Sequence, residues 1–514
     1  MQFTSRFAGF ALAAAMACSG NATLAATPAR GGAANLAMVG EPQGLDPMTS
    51  TADLVGTIMQ HVFETLYTFD ANWNIAPMLA ESMPSVSKDG MTYNIAIRKG
   101  VALHNGRELH ADDVVASLNR WMELSPRGKA VAKVVATLTT KGPHQVELVL
   151  NTPYAPLLAQ LALPSGMAAI MAKESIAPQL KDFIGTGPYK LKERKPDQFT
   201  VLVRHEAYAA RKEAPSGYAG RREALLDELR FVPVPNANTR VEGALSGQFQ
   251  YADLLPVEAA SRLDKAVTSV VPIVTKNFGF PYIVFNTKEG ILNSQAMRRA
   301  VQTAAGPGEM LAAAFGDTRF FVVEPNFFPK GTPYYATAGA ERYNERNAAL
   351  SKERAAKAGY SGQPIRIMVS RQYEFHYNMA LVMAEQLKKA GFKTELQVVD
   401  WATLVQRRND SKLWDVYFTH SGLFPEPMLS PPQLGDGAPG WWDTRTKKAT
   451  LKAFNQETNV VKRGPLWGEV QQAVYDEVPF IEVGKFNALS ARSVKLEGYT
   501  PSVWPFFWNT GLAK

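Results

Sequence analysis

The sequence predicts an α/β fold made of more than one unit, and two observations lead to this prediction. Between residues 365 and 419, three short apolar segments with strand character alternate with two segments of helical periodicity. Such a β-α-β-α-β order favours a parallel sheet with helices packed on its faces. The chain also has 514 residues. That is too many for one compact core and predicts two or three units.

The alternating region also predicts where a ligand would bind. The predicted strands and helices are 365–370, 374–390, 393–399, 401–409 and 414–419. Gly391 is a suitable cap for the end of the longer helix. In parallel sheets, ligands bind beyond the carboxyl ends of the strands. The predicted ligand-binding residues at these ends are Arg371, Tyr373, Asp400, Trp401, His420, Ser421 and Gly422.

Residues 89–121 predict a strand, a turn and a helix in close succession. Apolar side chains alternate from Thr92 to Ile97, as a half-buried strand requires. Asn105-Gly106 can adopt the positive φ angles of a tight turn. Asp112-Asp113 can accept hydrogen bonds from the free N–H groups at a helix start, which explains this acidic pair better than catalysis does. Val114, Leu118 and Trp121 share one helical face.

The N-terminus has the layout of a secretory signal. Arg6 precedes an apolar run at 7–17, and small residues follow up to Ala26, where we expect cleavage. We expect the mature protein to be exported and soluble, because no later apolar stretch approaches the roughly 18 residues that a membrane span needs. Cys18, the only cysteine, lies within this signal. Lipid attachment at Cys18 is the alternative, although Ala15 stands where a lipoprotein box normally has Leu.

Composition and charge are those of a folded, soluble protein. Apolar residues make up 46% of the chain and charged residues 20%, which is ordinary for a globular protein. The net charge of +8 is scattered. Its densest patch, Arg211-Lys212 with Arg221-Arg222, brackets a loop rich in Pro and Gly. Because a nucleic-acid surface would combine a basic stripe with aromatic residues, we expect no nucleic-acid partner.

The sequence contains no recognisable catalytic or metal motif. The seven histidines are dispersed without HExxH or CxxC spacing. His376 and His420 fall near the predicted strand ends, where packing or hydrogen bonding explains two separated histidines better than metal binding does. GxSxG and GxGxxG patterns are absent as well. We therefore expect no catalytic residue, metal or cofactor, with an exported peptidase as the alternative from another class.

Six phrases along the chain resemble the extracytoplasmic solute-binding proteins of the peptide and nickel type, which deliver ligands to ABC importers. Residues 89–121, DGMTYNIAIRKGVALHNGRELHADDVVASLNRW, resemble the family phrase most fully and depart from it mildly at Ile97 and Leu103. The other five are EPQGLDPM (41–48), HVFETLYTFDANWNIAPMLAES (61–82), FIGTGPYKLKE (183–193), YIVFNTKEG (282–290) and VPFIEVGK (478–485). The resemblance runs from about Ala34 to the C-terminus.

The resemblance implies a two-lobed periplasmic-binding-protein fold of the class II type. The expected parts are a signal peptide at 1–26, lobe I at 27–280 with an extra subdomain at about 77–182, lobe II at 281–485, and a return to lobe I at 486–514. The chain would cross between lobes near 280–286 and 482–486, so that the lobes close on a ligand. The implied partners are ABC permease subunits with cytoplasmic ATPases, and the protein itself is expected to be a monomer.

The resemblance also implies roles for single residues. Arg371 matches the arginine that takes the ligand carboxylate in dipeptide binders, a role suited to its planar fork. Leu423 stands where peptide binders have the aspartate that holds the α-amine. Either Glu426 or Asp400 replaces that anchor, or the ligand lacks an α-amine. Trp441 and Trp442 either cover the ligand or pack between the lobes.

We therefore expect a binder of a small peptide or peptide-like carboxylated ligand. Nickel chelates, opines and other non-peptide solutes remain the alternatives, because binding proteins of one architecture carry unrelated ligands.

Overall fold

A twelve-stranded mixed sheet runs through both halves of the molecule in the computed structural model, which describes residues 29–42, 44–371, 373–430 and 432–513. The signal-peptide prediction at 1–26, with Cys18, lies outside the described residues, and so does Gln372. The path of the sheet is β15-β14-β16-β12-β18-β11-β1-β10-β9-β8, with β13 on β18 and β17 on β12, in the numbering given next.

Strands and helices alternate along most of the described chain. The strands are β1 (Ala33–Met38), β2 (Tyr67–Phe69), β3 (Ile75–Pro77), β4 (Ser85–Val86), β5 (Thr92–Ala96), β6 (Val135–Thr140), β7 (Gln145–Leu150), β8 (Tyr189–Lys195), β9 (Phe199–Arg204), β10 (Glu228–Pro233), β11 (Tyr251–Leu255), β12 (Val270–Phe285), β13 (Phe321–Val322), β14 (Pro364–Ser370), β15 (Lys393–Val399), β16 (Val416–Gly422), β17 (Phe480–Glu482), β18 (Lys485–Ser493), β19 (Leu496–Glu497) and β20 (Gly511–Leu512). The helices are α1 (Asp53–Met59), α2 (Ala111–Leu124), α3 (Pro126–Ala132), α4 (Leu157–Gln160), α5 (Ala237–Leu245), α6 (Ala260–Lys265), α7 (Gln295–Ala304), α8 (Pro307–Phe315), α9 (Ala348–Lys357), α10 (Glu374–Lys389), α11 (Trp401–Arg407), α12 (Arg445–Gln456) and α13 (Val460–Glu477).

A separate four-stranded sheet, β4-β5-β7-β6, lies within the first half of the chain with α2 against it. Tyr93 and Ile95 of β5 are buried, as the alternating pattern predicts. The apolar face of α2 is buried through Val114, Leu118 and Trp121. Asp113 accepts the N–H of His110 at 2.9 Å and so closes a capping box, whereas Asp112 pairs with Lys173 at the surface. Of the two aspartates predicted to cap the helix, only Asp113 takes part in the cap.

The alternating region of the second half forms a parallel sheet. β14 lies between β15 and β16 and is parallel to both. The helix α10 ends at Lys389, with Gly391 in a left-handed conformation two residues later. Two elements differ from the prediction by more than one residue. The helix α11 ends at Arg407, two residues before its predicted end, and β16 starts at Val416 instead of Trp414 and continues to Gly422, past the predicted end at Thr419. The extension forms because β12 continues alongside and pairs with residues 420–422 through Gly279, Phe280 and Pro281.

Two long strands join the two halves of the sheet. β12 spans 16 residues and pairs with β18 over its first part and with β16 over its last part. Its register with β18 shifts between Thr275 and Gly279. A Cβ at Gly279 would lie 2.6 Å from the carbonyl oxygen of Ser421 and 2.6 Å from the ring of Phe486, so this crossing requires glycine. The irregularity sits where a hinge between lobes would bend.

Within the described residues, no helix has the length and apolar character needed to cross a membrane.

Candidate ligand-binding cleft

A cavity of about 470 Å³ lies between the regions that the sequence predicts as lobe I and lobe II, and we call it the cleft cavity. The two names are kept below for these predicted regions. Lobe I contributes the turn that joins β2 to β3, Tyr218 and the segment 500–504. Lobe II contributes the loop 329–332 with Leu423 and Pro425, and residues 274–277 of β12 form the back wall. Because both lobes and the strand that joins them line this cavity, a ligand within it would contact all three.

The lining of the cleft cavity is rich in aromatic residues, and its charged residues are Asp70, Lys276 and Lys330. Trp73, Tyr218 and Trp504 all contribute to it, and Trp73 also packs against the apolar core of lobe II. The carboxylate of Asp70 accepts the backbone N–H groups of Asn72 at 2.8 Å and Asn74 at 2.9 Å, so it is used within its own turn. Aromatic faces of this kind can hold apolar side chains or extended backbone.

The carboxyl ends of the lobe II strands carry a second group of aromatic rings, Tyr373, Phe375, His376, Trp401 and His420, which we call the strand-end cluster. Nδ1 of His420 lies 3.1 Å from Nε2 of His376, and the ring of Tyr373 meets those of Trp401 and His420 edge to face, with centroids 4.8 Å apart in each pair. Burial lowers the pKa of His420 to about 4 and holds that of His376 well below its ordinary value. The two imidazoles are therefore neutral and share one hydrogen bond.

Arg371 lies at the exposed end of β14, outside the strand-end cluster. Its guanidinium donates to the hydroxyl of Tyr377 at 2.7 Å and stacks over that ring at 4.3 Å. Among the described residues that line the cleft cavity, Arg371 does not appear. Asp400 caps α11 by accepting the N–H of Thr403 at 2.9 Å. Both charged groups therefore already make contacts within lobe II.

Residues 423–429 leave the end of β16 and reach lobe I, and we call them the bridging loop. Leu423 is buried and lines the cleft cavity. The ring of Phe424 stacks on Trp504 of lobe I with centroids 5.8 Å apart, and the guanidinium of Arg127 lies over its ring at 5.2 Å. Gly422 ends the strand just before the bridging loop, and Ser421 shares a hydrogen bond with the hydroxyl of Ser430 at 2.7 Å. The bridging loop is thus the part of lobe II that interlocks with lobe I.

Glu426 does not offer a free carboxylate. It is buried and forms a two-point ion pair with Arg463, at 2.8 and 3.0 Å, and Arg463 also donates to the hydroxyl of Tyr334. The sequence suggested Glu426 as a replacement amine anchor. In the structure Arg463 already occupies both carboxylate oxygens, because α13 packs this arginine against the base of the bridging loop.

Trp441 and Trp442 pack within lobe II. Trp441 stacks on Trp414 with ring centroids 5.5 Å apart. Trp442 is buried and donates from Nε1 to Glu477 at 2.5 Å. Neither is among the residues that line the cleft cavity in the described part of the chain. Of the two interpretations that the sequence left open, the structure favours packing, although within one lobe instead of between two.

Sequence reasoning missed the whole lobe I side of the cleft. The missed residues are those of the turn at 69–73, Tyr218 and the segment 500–504. One signal was present in the sequence, since residues 504–508 read WPFFW, the densest aromatic run near the C-terminus. The side chains of this run are almost completely buried in the lobe I core, and Trp504 also faces the cleft cavity.

No group of three or more His, Cys, Asp or Glu side chains in the described ranges is arranged to hold a metal ion. Among the described residues, His376 and His420 form a packed, hydrogen-bonded pair that is not part of such a group.

Comparisons with known proteins agree with this architecture. Residues 74–439 match the family described as "Bacterial extracellular solute-binding proteins, family 5 Middle". The chain is 25% identical over 492 residues to the probable peptide ABC transporter periplasmic-binding protein y4tO of Sinorhizobium fredii, with 90% of each chain covered. It is 26% identical over 526 residues to the oligopeptide-binding protein AppA of Bacillus subtilis, covering 94% of this chain and 93% of that protein.

Among solved structures, the ABC transporter substrate-binding protein CtaP of Listeria monocytogenes has a TM-score of 0.81 at 20% identity, covering 94% of this chain and 100% of that chain. This likeness, together with the mixed sheet, confirms the predicted two-lobed α/β fold. The match to the family model extends over most of the chain and confirms the resemblance seen in the sequence. The chain therefore belongs to the bacterial extracellular solute-binding proteins of family 5.

Proposed function

We propose that this protein captures a small peptide or peptide-like carboxylated ligand between its two lobes and delivers it to an ABC importer. The observation that carries the proposal is the cleft cavity, which both lobes and the connecting strand β12 line together. The names of the relatives y4tO and AppA, a probable peptide transporter component and an oligopeptide-binding protein, support a peptide ligand.

Closure of the lobes is the physical event that binding would drive. The lobes already touch through Phe424 and Trp504, and the backbone N–H of Ala155 in lobe I donates to the carbonyl of Asn455 in lobe II at 2.9 Å. A ligand that contacts both lobes adds interactions only in the closed state and so shifts the population toward it. The permease pair with its ATPases would recognise the closed state.

The predicted site residues enter this proposal unequally. Leu423 would contact the ligand directly because it lines the cleft cavity. Tyr373, Trp401 and His420 are not among the described residues that line the cleft cavity, so their contact with the ligand stays a prediction. The carboxylate clamp at Arg371 stays a separate prediction, because this residue is exposed and rests on Tyr377.

The cellular setting is part of the same proposal. The predicted signal at 1–26 would export the protein to the periplasm, with lipid attachment at Cys18 as the alternative. A monomer without nucleic-acid partners or cofactors fits a carrier whose only task is to present its ligand to the permease.

Native mass spectrometry of the protein purified from its own periplasm tests the ligand class. A co-purified peptide mass supports the proposal, whereas a metal chelate, a sugar or an opine mass contradicts the peptide part of it. Small-angle scattering with the identified ligand tests closure, and an unchanged radius of gyration would contradict it. Incubation with peptides separates the exported peptidase, because a carrier retains peptides in stoichiometric amounts and releases them uncleaved.

A further inference from the structure

A second opening between the lobes, which we call the polar interlobe pocket, lies on the other side of the bridging loop from the cleft cavity. Its volume is about 480 Å³. Lobe I lines it from α3, α4 and the segments around them, and lobe II from the bridging loop and α12. The lining residues are Thr51, Pro126, Arg127, Ala130, Tyr154, Gln160, Met428, Leu429 and Asn455.

Three side chains that line this pocket have a buried polar atom left unpaired. Nε of Arg127, Oε1 of Gln160 and Oδ1 of Asn455 have no hydrogen-bond partner among the residues that the structure describes. Such atoms are rare in folded proteins because an unpaired buried polar atom loses the hydrogen bond that water would give it. One unpaired donor and two unpaired acceptors, on three side chains that line the same opening, indicate a group that arrives from outside the chain.

Arg127 is electrostatically prepared for an anion. Desolvation by the surrounding protein lowers its pKa, and Asp53 acts against that by attraction. The carboxylate of Asp53 accepts from Nε1 of Trp504 at 2.7 Å, so it is partly committed to another donor. A ligand carboxylate would supply the second negative group that a partly desolvated guanidinium favours.

Phe424 connects this pocket with the cleft cavity. Its ring lies against Arg127, which lines the polar interlobe pocket, and against Trp504, which lines the cleft cavity. A ligand in the cleft cavity could therefore extend past the edge of this one ring and place its polar end beside Arg127. The closed arrangement helps, because Ala155 and Asn455 hold the two lobes together at the rim.

We propose that the polar interlobe pocket binds the carboxylate end of the ligand, with Arg127 holding the carboxylate and Gln160 and Asn455 accepting N–H groups next to it. This inference rests on the proposed function and names the subsite that selects a carboxylated, N–H-bearing ligand. It also moves the carboxylate anchor from lobe II to lobe I. The pairing of one cationic donor with two amide acceptors matches the end of a peptide, where a carboxylate follows an N–H group.

Calorimetric titration with trialanine and with trialanine C-terminal amide tests the proposal. Wild type should bind the acid more tightly than the amide. Arg127→Gln should lower the affinity for the acid by roughly 10- to 100-fold, with little change in the affinity for the amide, since charge-assisted hydrogen bonds are the strong ones. Asn455→Leu should weaken both peptides by a smaller and similar factor, because both carry the N–H group. Lys129→Gln, which removes one exposed charge from the same helix, is the matched control and should change neither.

Equal weakening of acid and amide in Arg127→Gln would mean that the arginine only stabilises the lobe contact, and would overturn the proposal. If Lys129→Gln shows the same loss of affinity for the acid, the effect comes from the overall charge of the protein, and this result would also overturn the proposal. If Arg127→Gln does not fold, Arg127→Lys keeps the charge without the planar fork and should lose part of the preference for the acid; an unchanged preference contradicts the proposal.

Wild type that binds neither peptide would contradict the proposed function, and the pocket is then tested separately. Ligand-detected NMR with N-acetylglycine and N-acetylglycinamide measures carboxylate binding without a transported peptide. Binding of the acid alone, lost in Arg127→Gln, would support the polar interlobe pocket by itself. Absence of arginine-dependent binding would overturn it.

Discussion

The last residue of the strand-end cluster, His420, lies three residues before the first residue of the bridging loop, Leu423, yet the two regions have opposite surroundings. The strand-end cluster is closed by its own neighbours: His420 pairs with His376, and Tyr373 packs between rings of the same lobe. The bridging loop crosses to lobe I and contacts Trp504 and Arg127. The difference teaches that the carboxyl end of a strand locates a functional region only roughly. The contacts across the interface decide which residues there can meet a ligand.

The ion pair at the base of the bridging loop gives the sharpest test of this comparison. Glu426→Gln should lower the free energy of unfolding by about 3–5 kcal/mol, because it leaves the buried guanidinium of Arg463 without its counter-charge. Urea unfolding followed by circular dichroism measures the loss. Asp443→Asn, which breaks an exposed pair with Lys448, is the control and should leave the free energy of unfolding almost unchanged, because water screens an exposed pair. A loss as small as the control's would show that the loop does not depend on this pair.

Removal of the ring that crosses the interface should weaken ligand binding. Phe424→Ala should reduce the binding free energy by about 1–3 kcal/mol, less than a fully buried phenylalanine contributes to folding, because this ring is only half-buried. Calorimetry with the co-purified ligand measures the change, and scattering should show a smaller fraction of closed protein. Phe424→Leu, which keeps an apolar contact with Trp504, should recover part of the affinity. If Phe424→Ala has the same fraction of closed protein as wild type, the bridging loop does not control closure, and the contrast between the two regions is wrong.

The strand-end cluster should respond to pH through its histidine pair. Both folded-state pKa values lie below the ordinary value of about 6.5, so the neutral rings favour folding at neutral pH. That stability is complete above the unfolded pKa and is lost as the pH falls from about 6.5 toward 4. The difference in unfolding free energy between wild type and His420→Gln should therefore shrink by about 1–2 kcal/mol between pH 7 and pH 5.

Urea titrations at the two pH values measure this change in difference. His104→Gln changes another histidine pair, in lobe I, and provides a second test: burial also lowers the pKa of His104 to about 4, so the difference from wild type should shrink there too. A difference between wild type and His420→Gln that does not vary with pH would mean that the two imidazoles are not coupled to folding.

The smallest effect is expected at Arg371, the residue at which family resemblance and structure part most clearly. A buried carboxylate clamp would predict a loss of roughly 2–5 kcal/mol of binding in Arg371→Ala. The exposed position and the contact with Tyr377 lead us to expect at most about 1 kcal/mol. Calorimetry with a carboxylated ligand decides between the two values. A loss near the upper range, with little rescue by Arg371→Lys, would restore the lobe II clamp and contradict the anchor at Arg127.

Local elements were well predicted because their causes are local. The alternation from Thr92 and the spacing of Val114, Leu118 and Trp121 each concern neighbours in sequence, and both patterns reappear as buried faces. The parallel arrangement of β14, β15 and β16 agrees with the alternation of strands and helices predicted between residues 365 and 419. The largest boundary difference is the end of β16, which a distant part of the chain, β12, extends.

The choice of side chains in the candidate site depended on partners that no local pattern specifies. Glu426 was suggested as an anchor by its place beside a proline, but Arg463 of a distant helix occupies it. Arg127 carries no motif, and its unpaired Nε becomes notable only where α3 meets the bridging loop. Periodicity within the chain therefore specifies which faces are buried, because burial depends on neighbouring residues. Only the docking of two lobes decides which charges are neutralised and which remain available, because ion pairs and cavities form between segments far apart in the chain.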